Sequence, residues 1–168
     1  MAPVIAQAEM TGDVARNLAK AWEFLSGERR MFDVFHPETH DHPPFAEFSM
    51  FMPLGLRAEA RTAGVGVLIQ REDASIVASH MFGLERGYLS EDDLRDACAE
   101  VCNVFSGCVS AQLSDQDVAI GLPSRVSASD FKNIARGSVL MLTYRSGQEI
   151  RKLFVLVYGT FLAKTYSH

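Results

Sequence analysis

The sequence lacks the features that mark secreted and membrane-spanning proteins. It contains only three cysteines in 168 residues, and Cys98, Cys102 and Cys108 all fall in one short helical segment. An odd number of cysteines at this spacing is not typical of a disulfide framework. No apolar run reaches the roughly 18 residues of a transmembrane helix, and the N-terminus lacks the basic and then apolar pattern of a signal peptide. We therefore expect a protein of the reducing cytoplasm.

Positive charge is also scarce. The chain has 16 lysines and arginines against 21 aspartates and glutamates, which gives a formal net charge of −5. The basic residues are scattered, and Arg29-Arg30 is too short to form a patch. An acidic protein without a basic stripe is a poor candidate for binding nucleic acid or anionic membranes, so we expect neither partner.

Apolar residues, by contrast, are plentiful. They make up 48% of the chain, and charged residues make up 22%, which is close to the average of globular proteins. A chain of this length and composition can bury one substantial core. We predict a single domain over residues 1–168.

The order of the predicted elements indicates an α+β fold. Apolar spacing predicts helices over residues 11–26, 73–82 and 90–106, and strands over 46–58, 63–71, 138–144 and 149–159. Shorter strand or loop candidates occupy 109–113 and 116–121, and a turn occupies 121–124. The expected caps are Thr11 or Asp13, Asp73 and Ser90, with Gly27 and Gly83 as stops. This order predicts helices packed on a mainly antiparallel sheet.

Two glycines stand out in the predicted strand 63–71. Gly64 and Gly66 alternate with Val65 and Val67. Because a glycine on one face of a strand leaves room for a neighbour, we expect a close approach on that face.

Residues 36–44, HPETHDHPP, are the strongest candidate for a metal site by composition. His36, His40 and His42 stand beside Glu38 and Asp41, and all five are common ligand types. The prolines prevent regular structure, and no remote histidine or cysteine pattern completes a site. We interpret this segment, within a Pro- and His-rich stretch over 27–45, as a polar loop and predict no metal site. His80 is expected to be a packed or partly buried residue.

The helix predicted over 90–106 carries two faces. At about 100° per residue, one face collects Leu94, Cys98, Val101, Cys102 and Phe105, which predicts the side that packs on the core. A narrow stripe roughly opposite collects Asp96, Glu100, Asn103 and Gly107. The spacing alone favours an ordinary solvated face. Asn103 fits that interpretation less well, because asparagine is a weak helix former.

The pattern Asp96-x₃-Glu100-x₂-Asn103-x₃-Gly107 resembles the signature of the CheC/CheX/FliY phosphatases. Two further features are similar to that family: a Met-Phe-Gly sequence at 81–83 before the helix, and the Gly-Leu-Pro-Ser turn at 121–124 after it. The closing pair of long strands also fits. The resemblance covers roughly residues 46–160, and the single copy of the pattern is the CheX arrangement. Cys108 departs from the family, because many relatives place an asparagine there.

The resemblance implies a protein phosphatase that hydrolyses the aspartyl-phosphate of a CheY-type response regulator, in chemotaxis or a related two-component pathway. It implies Glu100 and Asn103 as catalytic residues and Asp96 and Gly107 as partner-docking residues. The chain itself would need no cofactor, because Mg²⁺ is expected on the phosphorylated receiver domain. The family also implies a homodimer.

Two other functions stay open at this point. The first is a non-catalytic docking or signalling module of the same fold, which binds a receiver domain or another partner without hydrolysis. The second is a small-molecule sensor, which would need an enclosed apolar pocket away from residues 96–107. The phosphatase interpretation fails if Glu100 and Asn103 are buried against the core of their own chain.

Overall fold

The computed structural model describes residues 7–35, 45–56, 61–112, 118–137 and 139–160. Within these ranges the helices are α1 (Gln7–Ser26), α2 (Arg71–Phe82), α3 (Glu91–Ser110) and α4 (Ala128–Gly137). The strands are β1 (Asp33–Phe35), β2 (Phe48–Leu56), β3 (Arg61–Ile69), β4 (Val118–Ile120), β5 (Ser124–Arg125), β6 (Val139–Ser146) and β7 (Leu153–Thr160).

The strands form one sheet in the order β1-β6-β7-β3-β2-β4, and β5 also pairs with β2. Every described pairing is antiparallel. The long hairpins β2–β3 and β6–β7 meet through β3 and β7, which places the two longest strand pairs at the centre of the sheet. The predicted class, helices on an antiparallel sheet, is confirmed.

Helices α1, α2 and α3 cover one face of this sheet. Val65, Val67 and Ile69 of β3 lie fully buried in the main core beneath them. The core also contains large side chains that the solvent does not reach: Leu18, Trp22, Phe48, Met52, Leu54, Phe105, Leu142 and Tyr144. Burying such side chains supplies the main free energy that holds a helix on a sheet.

Helix α4 packs on the opposite face, and the sequence prediction missed it. Phe131 of α4 joins Leu68, Leu156 and Tyr158 in a second, smaller core. Ser127 caps the helix: its hydroxyl oxygen accepts from the Asp130 backbone N–H at 3.1 Å. The Ser127 N–H in turn donates to the Asp130 carboxylate at 3.3 Å.

Gly64 and Gly66 lie on the α4 face of β3. A Cβ atom on Gly64 would stand 2.3 Å from Cζ of Phe51, so any side chain there would displace this ring. A Cβ atom on Gly66 would lie 3.5 Å from the ring of Phe131. The expected close approach on one face of this strand is confirmed.

The helix boundaries correct two predicted caps. Helix α1 is described from Gln7, so Thr11 and Asp13 lie inside it. Helix α2 begins at Arg71 with Gln70 at the cap position, and Asp73 is fully buried rather than capping. The predicted stops are confirmed, because the chain turns left-handed at Gly27 (φ +75°) and Gly83 (φ +67°).

Asp73 belongs to a buried ion network. Its carboxylate accepts from both terminal nitrogens of Arg30, at 2.9 and 3.1 Å, and from Nε of Arg151 at 2.9 Å. Arg151 also donates to Glu28 at 2.6 Å, and the Arg30 guanidinium lies 4.7 Å from the ring centre of Trp22. These contacts join α2 to the segment after α1 and to the β6–β7 connection, which are far apart in the sequence.

Candidate functional site

Helix α3 carries the candidate site, and its start is well defined. Ser90 caps it, since the Ser90 hydroxyl accepts from the Asp93 N–H at 3.1 Å while the Ser90 N–H donates to the Asp93 carboxylate at 2.8 Å. This reciprocal pair is a capping box. The prediction that Ser90 caps the helix is confirmed, and the helix runs four residues past the expected Ser106.

The inner face of α3 is the predicted one. Leu94, Cys98, Val101, Cys102 and Phe105 are all buried. Across the core, the Phe105 ring meets Phe32 edge-on with ring centres 5.8 Å apart. This packing fixes the rotation of α3 about its own axis, and it therefore fixes which residues face outward.

The outer stripe of α3 is also the predicted one. Asp96 and Asn103 are exposed, and Glu100 and Gly107 are partly exposed. Among the described residues, the side chains of Asp96, Glu100 and Asn103 have no hydrogen-bond or ion-pair partner. Positions 100 and 103 lie one turn apart, about 5–6 Å between Cβ atoms in a regular helix. The structure thus presents an unpaired carboxylate and an unpaired amide side by side, on a rigid element and away from the core.

The acidic residues of the first turn contrast with this stripe. Glu91 accepts from Arg71 at 2.7 Å, Asp92 accepts from Arg95 at 3.1 Å, and Asp93 belongs to the cap. The hydrogen bond from Arg71 holds the pKa of the Glu91 carboxyl below its usual value. These carboxylates have partners within their own chain, in α2 or in the first turn of α3, whereas Asp96 and Glu100 have none among the described residues.

Cys98 and Cys102 lie on the inner face of α3, and both are buried. Burial raises the pKa of the Cys102 thiol to about 12 and that of Cys98 further still. Cys108 is only partly buried, and burial raises its pKa as well. The expectation that Cys98 and Cys102 act as small core residues is confirmed.

Other residues singled out from the sequence contribute little to a site. The segment 36–44 lies outside the residues that the structure describes. Among the described residues, no cluster of three or more His, Cys, Asp or Glu side chains could hold a metal. His80 is exposed to solvent, and its ring packs against Gly27, so it is a packed surface histidine. No helix among the described residues is long and apolar enough to span a membrane.

Described residues away from the α3 stripe line at least two surface concavities. One of about 390 Å³ is lined by residues of the β6–β7 connection and by Asp33, and one of about 360 Å³ lies beside α1 and is lined by Lys20, Glu23 and Arg29. Charged side chains line both, and both open to solvent. Neither is the enclosed apolar pocket that a small-molecule sensor would need.

Comparison with known proteins shows where this fold has been seen. No protein-family model matches the sequence, and no curated protein matches it. Among solved structures, CheX from Vibrio vulnificus has a TM-score of 0.67 at 13% identity, with 90% of this chain and 99% of that chain covered. CheX from Desulfovibrio desulfuricans has a TM-score of 0.64 at 15% identity, with 89% and 97% covered.

A third similar structure contains a second protein. It is the CheX–CheY–BeF₃–Mg²⁺ complex from Borrelia burgdorferi, with a TM-score of 0.63 at 15% identity over 91% of this chain and 97% of that chain. The chain described above therefore has the fold of the CheX and CheC chemotaxis proteins. At these identities the likeness establishes the fold, and function has to be argued from the site.

Proposed function

We propose that this chain is a CheX-like phosphatase, which hydrolyses the aspartyl-phosphate of a CheY-type receiver domain in chemotaxis or a related two-component pathway. The observation that carries the proposal is the free Glu100–Asn103 pair on the outer stripe of α3. A pair that another protein must reach has to be accessible, unpaired and held by a rigid element. Asn103 is exposed and Glu100 is partly exposed, neither has a partner among the described residues, and both lie on α3. The CheX-like fold supports the same function, because one similar structure is a complex with CheY.

Hydrolysis of an aspartyl-phosphate needs few groups. The water oxygen attacks phosphorus, the bond between phosphorus and the aspartate oxygen breaks, and the products are aspartate and inorganic phosphate, which retains the protons of the water. Such reactions depend mainly on placing the water in line with the breaking bond and on stabilising the charge of the phosphoryl group. On the resemblance to the family, the receiver would supply Mg²⁺ and a lysine for the charge.

Asn103 would place the water. A carboxamide can donate one hydrogen bond and accept another, and it stays neutral at every working pH. It can therefore hold a water molecule without repelling the anionic phosphoryl group. A glutamine has the same task in small GTPases.

Glu100 and Asp96 would hold the partner. A carboxylate one turn from Asn103 can accept a charge-assisted hydrogen bond from the receiver's lysine, which anchors and orients the two proteins. Asp96 lies one further turn along the stripe and is exposed, so it can add a second contact. The family resemblance also supports a homodimer, for which we propose no interface.

The proposal is tested with a receiver of the CheY type, phosphorylated with a small-molecule phosphodonor in the presence of Mg²⁺. We expect substoichiometric amounts of this chain to accelerate the release of inorganic phosphate above the rate of the receiver alone, with turnover. No acceleration at any concentration would rule out the phosphatase.

The same stripe also suits a docking module without activity, since exposure and free polar groups serve binding as well as hydrolysis. Calorimetric titration of the chain against the receiver, with beryllium fluoride in place of the phosphoryl group, measures binding, and the phosphate-release assay on the same pair then separates the two functions. A phosphatase both binds and releases phosphate, whereas a docking module binds and leaves the phosphate lifetime unchanged.

A further inference from the structure

No contact among the described residues explains why position 107 is a glycine. It lies inside α3, four residues after Asn103 and on the same stripe. A glycine inside a helix is less favourable than an alanine, because the more flexible glycine backbone loses more conformational entropy on folding. Such a residue is expected where a neighbouring group leaves no room for a side chain, or where the backbone has to turn left-handed.

Neither reason applies at this position. Among the described residues, a Cβ atom built on Gly107 meets no atom within 4 Å beyond its chain neighbours and the adjoining backbone of α3, and the Gly107 backbone is not left-handed. Other glycines of the chain do have such reasons: a Cβ atom would stand 2.3 Å from Phe51 at Gly64 and 2.2 Å from the Arg151 carbonyl oxygen at Gly147. The fold would accept alanine at 107 and gain stability from it.

We infer that Gly107 is a clearance site, at which the receiver packs directly against the backbone of α3. This inference rests on the proposed function and adds how the partner is seated. The two ends of the stripe then differ. Asp96 and Glu100 make one end negatively charged, and at Gly107 the other end exposes the helix backbone. Only one orientation of the receiver places its cation at the first end and its closest approach at the second, with Asn103 between them.

The clearance also determines how far Asn103 reaches. If the receiver rests on the helix backbone one turn away, the amide side chain extends into it to its full length. A methyl group at 107 would hold the two surfaces apart by roughly the width of the added atom, and overpacked contacts of this kind are unfavourable even when the rest of the interface is intact.

The matched variants are Gly107→Ala and Gly87→Ala. Gly87 lies in the α2–α3 connection and, like Gly107, has no atom within 4 Å of an added Cβ and no left-handed backbone. We expect Gly107→Ala to raise the midpoint of thermal unfolding by about 2–4 °C and yet to raise the KM for the phosphorylated receiver about fivefold or more. Gly107→Leu should raise the KM further, and Gly87→Ala should leave it unchanged.

The outcomes separate this inference from the proposed function. Phosphate release by the wild type with an unchanged KM in Gly107→Ala and Gly107→Leu would overturn the clearance and leave the phosphatase standing. If the wild type binds the receiver without hydrolysis, the same variants are compared by Kd in calorimetry, with the same expected ratio. A wild type that neither binds nor hydrolyses would contradict both the clearance and the proposed function.

Discussion

At the scale of single residues, the informative contrast is between carboxylates that have partners and carboxylates that do not. Glu91, Asp92 and Asp93 are engaged by Arg71, Arg95 and the helix cap. Glu100 is the same kind of group a few turns away, with no partner among the described residues. An unpaired, partly exposed carboxylate contributes little to the stability of its own chain, so we expect its removal to weaken binding of the partner.

The substitution Glu100→Gln tests the role of this carboxylate in binding. It should change the stability of α3 little, because glutamine has nearly the same shape and helix propensity as glutamate. We expect weaker docking and slower hydrolysis, with a KM for the phosphorylated receiver raised about tenfold, since a charge-assisted contact is lost. The remaining affinity should also depend less on salt. Glu85→Gln, a charge change at an exposed residue of the α2–α3 connection, is the control. Equal kinetics in the two variants would exclude Glu100 from the interface.

At the scale of elements, the sequence predicted α3 well and α4 not at all. Helix α3 has a strong cap, an apolar face at regular spacing and twenty residues, so its pattern stands out from the chain around it. Helix α4 has ten residues, and few of its side chains are apolar. The Ser127–Asp130 capping box followed by Phe131 was the available signal, and it is short enough to be taken for a loop.

The boundaries of the other elements differ from prediction for a similar physical reason. Asp73 was predicted to cap α2 because aspartate is a favoured residue type at the N-cap position of helices. Two arginines distant in sequence, Arg30 and Arg151, instead take up its carboxylate inside the fold. Local propensity cannot reveal a partner that only the tertiary structure brings near. The orientation of α3 could be predicted because it depends on a local period alone.

The rotation of α3 can be tested through its cysteines. Burial raises the pKa of Cys102 to about 12 and of Cys98 further, so at pH 9 only about a thousandth of the Cys102 thiol is ionised. We expect iodoacetamide, which attacks the thiolate, to leave both unmodified in the folded protein and to modify both in denaturant. Mass spectrometry of the alkylated peptides gives the result, and rapid labelling of the folded protein would contradict the orientation.

The same thiols give a pH dependence of stability. A thiol that ionises near pH 9 when unfolded and only near pH 12 when folded favours the protonated, folded state. Its contribution is complete below about pH 9 and is lost as the pH rises through the folded pKa. Denaturant unfolding at pH 8 and at pH 10 should therefore show a lower free energy of unfolding at the higher pH for the wild type.

At the scale of the whole molecule, the ion network around Asp73 connects parts that the sequence keeps apart. The Asp73 side chain is fully buried and the Arg30 side chain is 8% exposed. Removing one partner of a buried pair leaves an uncompensated charge in the interior, which costs more than the pair contributes. The network therefore holds the helix layer to the β6–β7 connection.

Asp73→Ala should lower the free energy of unfolding by about 3–5 kcal/mol. The control is Glu72→Ala, which removes the neighbouring carboxylate. Glu72 forms an exposed ion pair with Arg86 at 2.6 Å, so its loss should cost less than about 1 kcal/mol. Chemical denaturation followed by circular dichroism measures both. Similar midpoints for the two variants would show that the buried network does not stabilise the fold.

The central claim is that the Asn103 amide holds the attacking water, and one rate constant tests it most directly. Single-turnover phosphate release from a phosphorylated CheY-type receiver is compared among the wild type, Asn103→Ala and Asn133→Ala. Asn133 is an exposed asparagine of α4, on the other side of the sheet. We predict that Asn103→Ala folds normally, still binds the receiver and releases phosphate at least about a hundredfold more slowly, while Asn133→Ala matches the wild type. An unchanged rate in Asn103→Ala would contradict the mechanism.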